Sequence, residues 1–190
     1  MFTGRPLSLA RLSTFSATHF DWVYPILSKT GACQKKDFMW SLVKGCIEIG
    51  VYPDQNLEFE FTPVDFLTDA VVKIMKSGEM NKQYHLFNNH KTGLKNIVRA
   101  MSDHYEMKKL SREKWVERIS SASNSARHLA QLLSDGTFEG GYMEFKNDNV
   151  VKHVPDFEKG ISVDDEMIRE LRDYFVEEGY FPATNERKHA

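Results

Sequence analysis

Three groupings in this 190-residue chain have residue types and spacings that chemistry could use. Tyr105 and Lys109 stand four positions apart. A lysine held beside a tyrosine lowers its pKa and makes it a proton donor. Here the pair closes an apolar helical stripe with no cofactor motif before it, so it reads as a helix end. Glu58 and Glu60 share one side of the run LEFEF. Two carboxylates do acid–base work only in a desolvated cleft, and an alternating strand more simply has one wet face. His85 and His90 flank a strand end, but no third ligand stands near, and His19, His104, His128, His153 and His189 are scattered. Cys33 and Cys46 add no quartet, and Cys46 falls on the apolar side of a helix as a small core residue. Gly136, Gly140 and Gly141 neither follow a strand nor have dinucleotide-loop spacing. No residue is therefore assigned a catalytic or metal-ligating role. The aromatic segment from Phe15 to Tyr24 is more informative. Aromatics on a long loop after a strand can line an apolar slot. Phe20 and Trp22, with Phe38 just beyond, are the candidate substrate-binding residues.

These side chains need elements to position them. Leu7–Leu12 is a short apolar run that reads as a buried strand, followed by an irregular stretch over Ser13–Gln34. Lys36–Ile49 has helical spacing at Phe38, Leu42, Cys46 and Ile49, and Gly50 is its left-handed stop. Leu57–Phe61 alternates as a strand. Thr62, Pro63 and Asp65 have the order of a helix start, with Thr62 as the cap, and the helix runs to Ser77–Gly78. Gln83–Phe87 reads as a second buried strand closed by the turn pair Asn88–Asn89. Beyond Thr92 the pattern is mainly helical. One stripe runs from Leu94 to Tyr105, a helix starts at Ser111, helix formers extend from Ala126 to Leu133, and a last helix is capped by Ser162 and ended by Gly179. Two short apolar strands cannot form a parallel sheet alone, because such strands are buried on both faces and need neighbours.

Composition narrows the classes. Apolar residues make up 41% and charged residues 27%, as in globular chains, and only the tail 184–190 reads as disordered. The net charge of −2, with acids and bases interleaved, lacks the basic cluster that nucleic-acid binding requires. No run is long enough for a membrane span, and no signal peptide opens the chain, so the expected compartment is cytoplasmic.

The run Lys29-Thr30-Gly31-Ala32, then Lys36-Asp37-Phe38, Lys44-Gly45-Cys46-Ile47-Glu48-Ile49-Gly50 and Tyr52-Pro53-Asp54, resembles the C-terminal half of thioester (carboxylate) reductase domains. These are extended short-chain dehydrogenase/reductases that include the terminal reductases of non-ribosomal peptide synthetases, carboxylic acid reductases and aminoadipate reductases. Thr62-Pro63-Val64-Asp65-Phe66, the strand-like Gln83–Asn88, Trp115 and the ending Asp173–Pro182 are similar to further parts of that family.

The resemblance implies an α/β fold: the C-terminal remnant of a Rossmann-type extended short-chain dehydrogenase with a mostly helical substrate-binding subdomain, spanning residues 1–183. It implies NADPH as cofactor, but only with an N-terminal half that carries the glycine-rich loop and the catalytic triad. Its partners would be that half and an acyl or peptidyl carrier protein bearing the thioester. Arg11, Leu12, Ser13, Thr14 and Phe15 correspond to the family's Arg-Pro-Gly segment near the nicotinamide. The proline and glycines are replaced here, which removes the close backbone approach that glycine permits. The expected function is the substrate-binding portion of a reductase that converts a carrier-bound thioester to aldehyde or alcohol, inactive alone. The alternative is a non-catalytic binding or scaffold module. A sugar-nucleotide epimerase or dehydratase would want a basic cluster for the diphosphate, which the sequence lacks.

Overall fold

The computed structural model describes the backbone of residues 24–26 and, in full, residues 35, 37–77, 82–130, 134 and 146–183. Leu7–Leu12, most of the segment 13–34 and the tail lie outside them.

The first helix, α1 (Phe38–Ile49), organises the larger core. Asp37 caps it, its Oδ1 accepting from Met39 N at 2.9 Å. The spacing of apolar residues puts Met39, Trp40, Leu42, Val43, Cys46 and Ile47 on a buried face. Each fully buried side chain of this size contributes about 1.5–3 kcal/mol. Gly50, at φ 68°, ends the helix as expected, its N–H bonding back to the Cys46 and Ile47 carbonyls. Its own carbonyl accepts from Lys108 N at 2.9 Å, so the residue that stops the helix also opens a ladder. That ladder pairs β2 (Val51–Pro53) in parallel with a strand at Lys108–Leu110. Local pattern carries no warning of the latter, because Lys-Lys-Leu has no alternation and borrows its conformation from its partner.

The second sheet carries the expected α/β character. A strand at Tyr24–Ile26, β1, pairs in parallel with β3 (Glu58–Pro63), in register Tyr24 with Phe61 and Ile26 with Pro63. This corrects the irregular reading of 13–34 at those three residues. β4 (Lys91–Gly93) runs antiparallel on the other side of β3, and Lys108–Leu110 is then β5. Gln83–Phe87 is no strand: the chain there is irregular and half-buried. Its apolar run was sufficient for the pattern, but no ladder receives it.

The other helices are α2 (Val64–Ser77), α3 (Leu94–Ala100), α4 (Arg112–Ser121), a short α5 (Asp148–Val151) and α6 (Asp165–Glu177). Thr62 does not cap α2. The strand continues through Pro63, and the first-turn contact is Asp65 Oδ1 accepting from Phe66 N. α3 stops at Ala100, and Tyr105 lies beyond it in the connection. Of the segment from Ala126, residues 127–129 form a 3-10 turn. The cap of α6 is Asp164, whose Oδ1 accepts from Met167 N at 2.9 Å, two residues after the expected Ser162. Gly179 has the positive φ of a stop.

Two separate cores result. The larger joins α1, β3, α3, α4 and α6, with Trp40 at an aromatic centre of Phe61, Phe175 and Phe181. Buried Arg172 of α6 donates to Asp103 Oδ1 at 2.7 Å and Asp173 Oδ1 at 2.8 Å, fastening α6 to the turn after α3. The smaller core holds Ala70 and Ile74 of α2 against Val150, Val154 and Phe157.

The tightest approach in the larger core is at Gly45. A Cβ there would lie 2.4 Å from Ala126 Cβ and 3.0 Å from Ala126 N. Gly45→Ala must push α1 away from residues 124–126 and is expected to cost about 1–3 kcal/mol in urea denaturation, despite alanine's better helix propensity. A variant as stable as the parent would show that this contact yields freely.

Candidate functional site

In open α/β sheets, ligands sit beyond the carboxyl ends of parallel strands. Here those ends are Ile26 of β1 and Pro63 of β3, side by side in register. Pro63 is buried and passes directly into α2, placing that helix's amino end beside the strand ends. This corner is the candidate site.

A polar cluster fixes it from beneath. Asn88, 1% exposed, donates its backbone N–H to Glu60 Oε1 at 3.1 Å and Thr62 Oγ1 at 3.2 Å. Thr62 Oγ1, fully buried, donates to Glu60 Oε1 at 3.2 Å. The Asn88 amide nitrogen donates to the Phe61 carbonyl at 2.6 Å and the Ile161 carbonyl at 2.7 Å, while Oδ1 accepts from Ile161 N at 2.9 Å. Around it Asn89 Nδ2 donates to the Glu158 carbonyl, and the His90 ring nitrogen bonds the Lys159 carbonyl, each at 2.7 Å. Gly160 makes room at φ 62°, where a Cβ would meet Asn88 Oδ1 at 2.5 Å. Glu60 is thus a strut of this cluster, while Glu58 on the same side of the strand is exposed, in keeping with a wet strand face rather than an acid–base pair.

Asp37 and Phe38 lie at the start of α1. Burial pushes the Asp37 carboxyl up to about 6, against the lowering effect of its bond from Met39 N. Phe38 is half-buried and packs on the larger core. Of the sequence-derived site residues it alone is described. Arg11, Leu12, Ser13, Thr14, Phe15, Phe20 and Trp22 lie outside the described residues.

The chemistry available among the described residues is binding, with no proton-transfer couple. Tyr105 Oη donates to the Pro182 carbonyl at 2.6 Å, and burial pushes its pKa up to about 12, opposite to what a proton donor needs. Lys109 is turned away to Asp54, with Nζ 3.1 Å from Oδ2. The Cys46 thiol, fully buried, is pushed up to about 12 by burial and is inert. No group of three metal-ligating side chains occurs among the described residues, and no described helix is long and apolar enough to cross a membrane. They also offer no dinucleotide cradle. The positive-φ glycines are Gly50 and Gly179, which end helices rather than open them, and Gly160, packed on Asn88, so none stands at a helix amino end where a pyrophosphate would sit. Asn88 is the residue that sequence reasoning placed in a turn and missed as a hub. An asparagine ending an apolar run was the available signal.

Residues 2–71 match a family model described as Male sterility protein, an NAD-binding family. The chain is 28% identical over 167 residues to a linear gramicidin synthase of Brevibacillus parabrevis, covering 83% of this chain and 3% of that protein. Its fold matches the terminal R domain from the myxalamid PKS-NRPS biosynthetic pathway with a TM-score of 0.69 at 23% identity, over 84% of this chain and 44% of that one. It also matches a thiolation-reductase di-domain from an archaeal non-ribosomal peptide synthetase, with a TM-score of 0.65 at 16% identity, over 83% and 35%. The chain therefore spans less than half the length of each.

Two substitutions test the site's construction. Asn88→Asp keeps the shape but turns a carboxylate toward the Phe61 and Ile161 carbonyls, and is expected to cost about 3 kcal/mol by urea denaturation. For Asp37, the folded-state value of about 6 exceeds the ordinary aspartate value of 3.8. The unfolded chain releases its proton first, so this group's contribution to stability falls as pH rises from about 4 to 6. Asp37→Asn retains a cap acceptor and removes that loss. The stability difference, variant minus parent, is expected to grow across this window and stay level above it; a flat difference from about pH 4 to 7 would contradict the burial of the carboxylate.

Proposed function

We propose that this chain forms the C-terminal, substrate-side part of a reductase like the terminal reductase domains of non-ribosomal peptide synthetases, NAD-binding members of the extended short-chain dehydrogenase/reductase group; the partial family match, the similar synthetases and the shared fold support this reading. The substrate is an acyl thioester on a carrier protein, and the product an aldehyde or alcohol. The cofactor is NADPH, held mainly by an N-terminal half that also supplies the tyrosine–lysine proton donor. The compartment is cytoplasmic.

The observation that carries this reading is the parallel pair β1–β3, ending at Ile26 and Pro63 beside the amino end of α2, in a fold that overlays a terminal R domain over 84% of the chain. Such a corner binds a ligand across the strand ends. The helices α1, α3, α4 and α6 then form the floor of the substrate side; Phe20 and Trp22, with Phe38, are the residues proposed to bind the acyl group, and Arg11–Phe15 those proposed to meet the nicotinamide, as the family resemblance implies. Reduction requires the nicotinamide to be held against the thioester carbonyl. The described residues supply the position for the acyl group, and their one tyrosine–lysine spacing is spent on Pro182 and Asp54. A carrier partner is supported by the likeness to a thiolation-reductase di-domain.

The test follows NADPH absorbance with a carrier-bound or coenzyme A thioester. The expected outcome is no turnover by the chain alone and turnover when it is joined to the N-terminal half of a related reductase domain. Turnover by the chain alone would overturn the proposal that the catalytic groups lie elsewhere.

A further inference from the structure

Helix α2 has apolar residues on more of its circumference than the fold uses. At about 100° per residue, Phe66, Leu67, Ala70 and Ile74 lie together, and this is the face against Val150, Val154 and Phe157. Val64, Thr68, Val71, Val72 and Met75 lie together on a second face, about a third of a turn away. Asp65, Asp69, Lys73 and Lys76 occupy the remainder. A helix with one partner needs an apolar stripe about 100° wide, and two such stripes mean two partners.

The second face is exposed at Thr68, Val72 and Met75, while Val64 and Val71 on its edge are partly buried. Val72 is 46% exposed and Met75 69%, and among the described residues these are the exposed large apolar side chains. α2 also shares no buried residue with the larger core. Yet α2 leaves β3, which is paired in parallel with β1, and the helix that follows a parallel strand normally buries a stripe on that sheet. The described sheet has one parallel pair, β1–β3, with the short antiparallel β4 on its other side, and no further parallel strand among the described residues for α2 to cover. The solved reductase domain of the same fold is more than twice as long as the part this chain covers.

We infer that the Val64–Thr68–Val71–Val72–Met75 face of α2 is the surface onto which the nucleotide-binding half of the reductase docks, through its own apolar sheet and helix surface. This rests on the reductase reading and adds to it the place where the halves join. The charged residues of the third face stay at the rim, with Lys73 already paired to Asp69 at 2.6 Å.

The test places a thiol on this face. With Cys33→Ser as background, Met75→Cys is compared with Glu170→Cys, an exposed position on α6. Maleimide labelling is timed in the chain alone and in a fusion carrying the N-terminal part of the myxalamid terminal R domain, and NADPH binding to the fusion is read by fluorescence. The expected result is at least ten-fold slower labelling at position 75 in the fusion, with position 170 unchanged. Fast labelling at position 75 in a fusion that binds NADPH overturns the inference and leaves the reductase reading standing. Protection at 75 without NADPH binding upholds the interface and counts against the cofactor part of that reading. Neither protection nor binding counts against both. Slow labelling at 75 in the chain alone overturns the inference, because the face would already be covered.

Discussion

A single carboxamide joins the parts of this fold that would otherwise be independent. The Asn88 side chain offers its nitrogen and oxygen to the carbonyl and N–H of one residue, Ile161, as a neighbouring strand would. The same nitrogen also reaches the Phe61 carbonyl inside β3. The amide therefore acts as one peptide unit of a missing strand, linking the sheet to the chain that leads into α6. It is buried, and in that setting a hydrogen bond is strong and an unpaired polar atom costly. Its neighbours repeat the pattern, since Asn89 and His90 hold the carbonyls of Glu158 and Lys159. Three consecutive polar residues thus hold the backbone between Glu158 and Ile161, and Gly160 can sit among them because it has no side chain.

That link explains how two cores coexist. The larger is closed by aromatic packing around Trp40 and by the buried guanidinium of Arg172. The smaller is a handful of residues under α2. No apolar residue belongs to both. They are held in common by backbone continuity and by the Asn88 cluster, which lies where β3 turns into α2.

Much of the floor was legible from the sequence, and the reason is length. α1 and α6 are long enough for apolar periodicity to stand out, and Gly50 and Gly179 are stops for which glycine is the natural choice. The alternation of LEFEF located β3. Failures came where three-dimensional pairing outranks local pattern. Gln83–Phe87 is apolar enough for a strand but has no ladder, while Lys108–Leu110 lacks any strand signature and is one because Val51–Pro53 lies beside it. Thr62 looked like a cap, but its hydroxyl is taken by Glu60 and Asn88. Tyr105 and Lys109 have a catalytic spacing that the absence of a cofactor motif before them already discounted, and each is held by another partner, although Tyr105 lies beyond the helix it was expected to end. The family resemblance survived these errors because it depends on the order of motifs along the chain.

Gly50 has a consequence for how such a domain can change over time. It terminates α1 through its N–H and starts the β2–β5 ladder through its carbonyl, with no spacer between. Adding or deleting one residue there would rotate every side chain of β2 to the opposite face and break its register with β5. Among descendants the step from α1 to β2 should therefore keep its length even where its side chains drift.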